Sequence, residues 1–155
     1  MATRILIVDD HLVIRKMLKA LLETREGWEV CGEATNGREA VTKAQELKPD
    51  LMIMDLAMPV MDGIRASREL AKAMPTVPIL MHTLHYSLEL EVEAKKAGIR
   101  EVVAKVDSGE RLMNAIEALV RDNSLEARAE SVSKPAESAV TSRGASASER
   151  PDVSE

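Results

Sequence analysis

Arg4-Ile5-Leu6-Ile7-Val8-Asp9-Asp10 is a short apolar run stopped by two aspartates. Consecutive apolar residues without alternation describe a strand buried on both faces. Outward from this stretch the pattern returns. Leu51-Met52-Ile53-Met54 is a second such run and also ends on an aspartate, Asp55. Pro78-Ile79-Leu80-Met81 is a third, with Thr83 just beyond it, and Val102-Val103-Ala104 runs into Lys105. Trp28-Glu29-Val30-Cys31-Gly32 alternates like a shorter strand. Helical spacing fills the intervals. Leu12, Met17, Leu18, Leu21 and Leu22 mark a helix closed by Gly27. Glu39 to Leu47 form a second helix, broken by Pro49-Asp50. Ile64 to Met74 form a third, closed by Pro75, and Glu89 to Ala97 a fourth, ended by Gly98. Leu112, Ile116, Leu119 and Val120 stripe a fifth. Strand and helix alternate five times with short connections. This predicts an α/β fold, a doubly wound five-stranded parallel sheet with helices on both faces.

Composition bounds the rest. The 155 residues are 45% hydrophobic and 30% charged, a balance that suits one globular domain. The expected boundaries are residues 1–123 for that domain and 124–155 for a tail. In the tail the apolar residues larger than alanine are only Leu125, Val132, Val140 and Val153, too sparse for a core, so disorder is expected. No apolar run approaches the roughly 20 residues of a membrane helix. The N-terminal apolar run is too short for a signal peptide, so cytoplasm is the default compartment. The single cysteine, Cys31, allows neither an intrachain disulfide nor a cysteine metal cluster, and reads as a small buried hydrophobe. A net charge of −5 disfavours non-specific contact with nucleic acid. With Trp28 and Tyr86 alone among Phe, Tyr and Trp, base-stacking modules are disfavoured too.

In an open parallel sheet, ligands bind beyond the carboxyl ends of the strands, where strand order reverses. Asp9, Asp10, Asp55, Thr83 and Lys105 all fall at such ends. Three carboxylates in one pocket repel each other, and a hard dication with oxygen ligands, Mg²⁺ above all, would offset them. A lysine and a hydroxyl complete a site suited to a transferring phosphoryl group, with one carboxylate as nucleophile. Each residue has a plainer reading. Aspartates commonly cap loops, Lys105 could be a surface lysine, and Thr83 could bond its own backbone. His11 reads as a weak candidate for the metal, and His82 as a satisfied, half-buried histidine.

Taken in order, Asp9-Asp10, then Met54-Asp55-Leu56-Ala57-Met58-Pro59-Val60-Met61-Asp62-Gly63, then Met81-His82-Thr83, then Lys105 resemble the receiver domains of bacterial two-component response regulators. The resemblance covers roughly residues 3–122. Its local texture is most similar to receivers of the subfamily that usually carries a C-terminal helix-turn-helix domain. It implies the flavodoxin-like receiver fold. It also implies that Asp55 accepts a phosphoryl group from a histidine kinase or phosphotransfer protein. Asp10 would ligate Mg²⁺ directly, Asp9 mainly through water, with Asp55 and the backbone carbonyl of Ala57 completing the protein ligands. Lys105 would contact the phosphoryl oxygens, and Thr83 would move toward them and relay the change.

The chain departs from that family at three places, and two further positions bear on its dephosphorylation. Val102 stands where an aromatic ring usually reports activation. Val106, not proline, follows the lysine, so a trans bond is expected, a cis bond there costing about 2.5–4 kcal/mol. Leu84 stands where a small residue usually follows the threonine. Ala57 and His85 occupy positions that tune dephosphorylation in the family. The loop from Leu84 to Leu88 is therefore the expected carrier of the change. The expected function is a stand-alone phosphorylation switch, a phosphoacceptor and not an enzyme. It would signal through protein–protein contacts without binding DNA or membrane, as a monomer or a phosphorylation-dependent dimer. A degenerate receiver used only for binding or dimerisation is the alternative. A Mg²⁺-dependent phosphohydrolase is the other, and Ala57, where many such enzymes place a second acid, speaks against it.

Overall fold

A computed structural model describes the backbone of residues 2–137 and the side chains of residues 2–130. The chain divides into two units, Met1–Asn123 and Ser124–Glu155. Five strands and five helices alternate. They are β1 (Thr3–Val8), α1 (Leu12–Leu22), β2 (Trp28–Ala34), α2 (Gly37–Leu47), β3 (Leu51–Met54) and α3 (Gly63–Ala73). After these come β4 (Ile79–Thr83), α4 (Leu88–Lys96), β5 (Glu101–Ala104) and α5 (Gly109–Glu137). All pairings are parallel, in the order β2-β1-β3-β4-β5. The chain moves from β1 outward to β2, then returns across β1 to β3. Strand order therefore reverses between β1 and β3, and that crevice lies at the ends carrying Asp9, Asp10 and Asp55.

Side chains alternate across the central strands, and the apolar runs fill both faces. Leu6, Val8, Met52, Met54 and Met81 join residues of α2, α3 and α4 in one core. Ile5, Ile7, Leu51, Ile53 and Leu80 join Leu18 and Leu22 of α1 and Leu112 and Ile116 of α5 in the other. Each fully buried aliphatic side chain contributes about 1.5–3 kcal/mol.

Polar caps set where the helices begin. Asn36 Oδ1 accepts the Glu39 amide at 2.9 Å, while the Glu39 carboxylate accepts the Thr35 amide at 3.1 Å. Asp62 Oδ1 accepts the Arg65 amide at 2.8 Å, and Ser87 Oγ the Leu90 amide at 3.0 Å.

Some boundaries differ from the expectation. α1 ends at Leu22, and Gly27, at φ +86°, belongs to the turn that enters β2. β4 extends through Thr83, so the threonine is the last residue of the strand. From Ser124 to Glu137 the backbone continues α5 as a helix. Residues such as Ala, Glu and Arg hold helical backbone well even where they cannot build a core. The rest of the tail expected to be disordered lies outside the described residues. Cys31 is the extra residue of a bulge, because Ile5 pairs with Val30 and Leu6 with Gly32. It is partly buried, and burial pushes its thiol pKa up, as suits an inert cysteine.

Candidate functional site

Asp9 is the first residue beyond β1 and is buried. Its Oδ1 accepts the His11 amide at 2.8 Å, which fixes the turn into α1. Its carbonyl accepts Arg15 Nη1 at 2.8 Å, and Arg15 Nε donates to Glu33 at 3.0 Å. Arg15 thus ties the end of β1 to β2 from the first turns of α1. Sequence reading passed over this clamp. Its only signal was a basic residue six positions after Asp9, among the apolar positions of α1.

Asp55 follows β3 directly and is also buried. Its Oδ1 accepts the Leu56 amide at 2.8 Å. Lys105, just past β5, crosses the crevice. Its Nζ donates to Asp9 Oδ2 at 2.7 Å and stands 3.3 Å from Asp55 Oδ1. The lysine side chain is 6% exposed, so this is a buried bridge between two carboxylates and not a surface pair. The Lys105 amide is held in turn by the Thr83 carbonyl at 2.7 Å.

Burial, then the charge of Asp9, push the Asp55 carboxyl above the usual carboxylate range, and Lys105 pulls it back only in part. Asp10 Oδ1 is shielded from water and makes no hydrogen bond. It faces His11 Nδ1 across 3.1 Å without hydrogen-bond geometry. One ligand atom from each of Asp9, Asp10, His11 and Asp55 lies within 4.8 Å of all the others. These observations fit a cation site. The donors are mostly hard oxygens, one carboxylate oxygen is unpaired, and the carboxylate charge is under-compensated.

The structure thus brings Asp9, Asp10, Asp55 and Lys105 together. Thr83 ends the neighbouring strand β4, and its buried hydroxyl accepts the His85 amide at 3.0 Å, which holds the loop after β4. Ala57 lies in the loop between β3 and α3, two residues past Asp55. That loop is tightly constrained. Gly63 donates its amide to the Leu56 carbonyl at 2.8 Å, and a Cβ on it would stand 2.1 Å from the Asp55 carbonyl oxygen. Val60 sits at φ 68°, a left-handed conformation that strains a β-branched residue. Met61 is buried in the core and Met58 packs against it. No cis peptide bond occurs among the described residues, the bond before Val106 included.

Val102 is buried in the core on the α4 side and pairs with Met81. His82 corrects the expectation of a satisfied histidine: it is buried and its Nδ1 has no hydrogen-bond partner among the described residues. Burial, with the Lys105 charge, lowers its pKa to about 4. Its place among apolar neighbours in β4 gave little warning of this.

Residues 5–117 match the response regulator receiver domain family. The chain is 44% identical over 116 residues to the chemotaxis protein CheY of Thermotoga maritima, covering 75% of this chain and 96% of that protein. It is 40% identical over 122 residues to the transcriptional regulatory protein YdfI of Bacillus subtilis, covering 79% of this chain. It spans 57% of the length of that relative. Among solved structures, a two-component response regulator of the LuxR family from Aurantimonas sp. SI85-9A1 aligns with a TM-score of 0.75 at 32% identity. That match covers 85% of this chain and 99% of the other.

Proposed function

The chain belongs to the response regulator receiver family, a family of two-component signalling domains, and from that premise we propose that Asp55 is its phosphoacceptor. The observation that carries this reading is the Lys105 bridge to Asp9 and Asp55 at the β1/β3 crevice. A buried lysine poised on the acceptor carboxylate is placed to follow a phosphoryl oxygen once one arrives.

The chemistry follows from the groups present. Asp55 Oδ2, the oxygen that carries neither the Leu56 amide nor the lysine, attacks phosphorus of a phosphohistidine on a histidine kinase or phosphotransfer protein. An O–P bond forms, the N–P bond breaks, and the departing histidine nitrogen recovers its electron pair. Asp9, Asp10, Asp55 and the Ala57 carbonyl would hold Mg²⁺, which would supply neutralising charge to the transferring group. Lys105, between Asp9 and Asp55, stabilises the charge of about −2 that phosphorylation adds. Hydrolysis of the acyl phosphate by water restores the carboxylate and releases inorganic phosphate.

Output runs through the β4–α4 loop. Movement of Thr83 toward the phosphoryl group would strain or break its hydrogen bond from the His85 amide and so loosen the loop that ends at the Ser87 cap of α4. Leu84, Tyr86 and Leu88 are exposed on that loop and at the start of α4, so its release alters an apolar surface available to a protein partner. No helix among the described residues is long and apolar enough to cross a membrane. Signalling through protein contact in the cytoplasm, without direct DNA binding, is consistent with the net charge of −5.

Intact mass after incubation with Mg²⁺ and a small acyl-phosphate donor tests the reading. The expected result is a gain of one phosphoryl group, absent in Asp55→Asn and blocked by a chelator. A gain that persists in Asp55→Asn would remove Asp55 from this role. Absence of any gain, even with a stable phosphoryl mimic, would favour a module that binds without being phosphorylated.

A further inference from the structure

We propose that His11 is a nitrogen ligand of the metal site and biases it toward a dication that accepts nitrogen, Mn²⁺ over Mg²⁺. The inference rests on the reading of the acidic cluster as a metal site and assigns to it a residue outside the Asp9, Asp10, Asp55 and Ala57 set.

His11 Nδ1 lies 3.1 Å from Asp10 Oδ1 and 3.2 Å from Asp9 Oδ1. Ligands at right angles around one ion stand apart by √2 times the bond length. Bonds of roughly 2.1–2.2 Å therefore give edges of about 3.0–3.1 Å. The 3.1 Å separation from Asp10 Oδ1 matches an edge shared by two ligands of one ion, and the 3.2 Å separation from Asp9 Oδ1 is slightly longer than such an edge. Asp10 Oδ1 makes no hydrogen bond although the imidazole nitrogen is close by. The same ring nitrogen is within hydrogen-bond distance of Asp9 Oδ1, at 3.2 Å, so the unbonded pair is His11 Nδ1 and Asp10 Oδ1, and two electron-pair donors that face each other in this way are what a shared cation joins. The four ligand atoms of Asp9, Asp10, His11 and Asp55 stay within 4.8 Å of one another, close to the roughly 4.3 Å between opposite ligands of one octahedral ion.

The backbone delivers the ring there. His11 is the residue just before α1, in extended conformation, and its amide is pinned to Asp9 Oδ1. Backbone and ring thus rise from the same turn as both aspartates. Its side chain is 62% exposed, so little packing resists a small adjustment of the ring. Imidazole is a poor partner for Mg²⁺ and a good one for later first-row dications, whose affinity for nitrogen rises along the series from Mn²⁺.

The rival arrangement is an ion pair, with a protonated imidazole donating to Asp9 and Asp10. A ring so engaged offers no lone pair to a metal. Pulsed electron paramagnetic resonance of Mn²⁺ bound to the full chain, with natural-abundance and ¹⁵N-histidine protein, separates the two. The expected result is a nitrogen coupling that changes with the isotope and disappears in His11→Gln, while Mn²⁺ still binds that variant. Calorimetric titration should show the ratio of Mn²⁺ to Mg²⁺ affinity falling roughly tenfold in His11→Gln.

Mn²⁺ bound to the parent chain without histidine nitrogen coupling overturns the proposal and leaves the metal reading standing. A coupling that survives in His11→Gln belongs to another histidine and overturns it as well. An unchanged affinity ratio removes the claim of selectivity. Failure of the parent chain to bind Mn²⁺ or Mg²⁺ at all removes both the metal site and this ligand.

Discussion

At Asp55, burial and the Asp9 charge raise the carboxyl above its ordinary value of 3.8, with Lys105 opposing them. The folded chain therefore holds this proton more tightly than the unfolded chain. Ionised Asp55 costs stability at neutral pH, and the cost fades as pH falls from the raised folded value toward 3.8. Asp55→Asn, measured by scanning calorimetry with chelator present, should melt a few degrees higher than the parent at pH 7. The gap should narrow as pH drops toward 4. A variant that melts lower at pH 7 would show that the carboxylate is already well compensated by Lys105. The residue proposed as phosphoacceptor is thus a weak point of the fold.

Two connecting loops, β3–α3 and β4–α4, flank the proposed site. The β3–α3 loop is pressed against the strand that presents Asp55, and Gly63 is the contact point. Gly63→Ala forces a Cβ to within 2.1 Å of the Asp55 carbonyl oxygen, where backbone cannot yield cheaply. We expect a loss of about 2 kcal/mol or more in urea unfolding, together with displacement of Asp55 and slower phosphorylation. Parent-like stability would mean that α3 shifts freely on the sheet. The β4–α4 loop is held by the Thr83 hydroxyl on the His85 amide. Since Val102 is packed in the core, no ring at that position can swing inward to couple the threonine to α4. Phosphorylation should therefore move the backbone amide resonances of residues 84–88, and Thr83→Val should suppress that movement while Asp55 still accepts phosphate. Unmoved resonances in the parent would place the relay outside this loop.

For the molecule as a whole, His82 sets the response to acid. Its folded pKa of about 4 lies below the unfolded value of 6.5. The unfolded chain then binds the extra proton between those values, so stability is full above 6.5 and is lost as pH falls through that window. The difference corresponds to about 3 kcal/mol. His82→Leu removes the group and its unpartnered Nδ1, and leucine suits the apolar neighbours Leu80 and Val103 on the same face. Denaturant midpoints should match the parent near pH 7.5 or exceed it, and exceed it clearly at pH 5. Asp55 acts in the opposite sense over part of the same range, so the comparison is made between variant and parent at each pH. Equal acid losses in both would clear His82 of this role.

The apolar runs and the aspartates that stop them determined the alternating α/β order and the strand ends at which polar groups gather. Period and termination are local properties, and Ile5–Val8 or Leu51–Met54 display them without reference to the rest of the chain. The residues that gather at the strand ends were legible for the same reason, since Asp9, Asp10, Asp55 and Lys105 each follow a strand. Partners were not legible. That Lys105 bridges Asp9 and Asp55, that Arg15 clamps the Asp9 carbonyl, and that Thr83 spends its hydroxyl on His85 depend on the order β2-β1-β3-β4-β5 and on side-chain reach across it. Nor could the strand pattern tell that His82 would be buried with its Nδ1 lacking a hydrogen-bond partner among the described residues. Burial and pairing are set by what the other strands and helices bring to the same place, and only tertiary packing decides that.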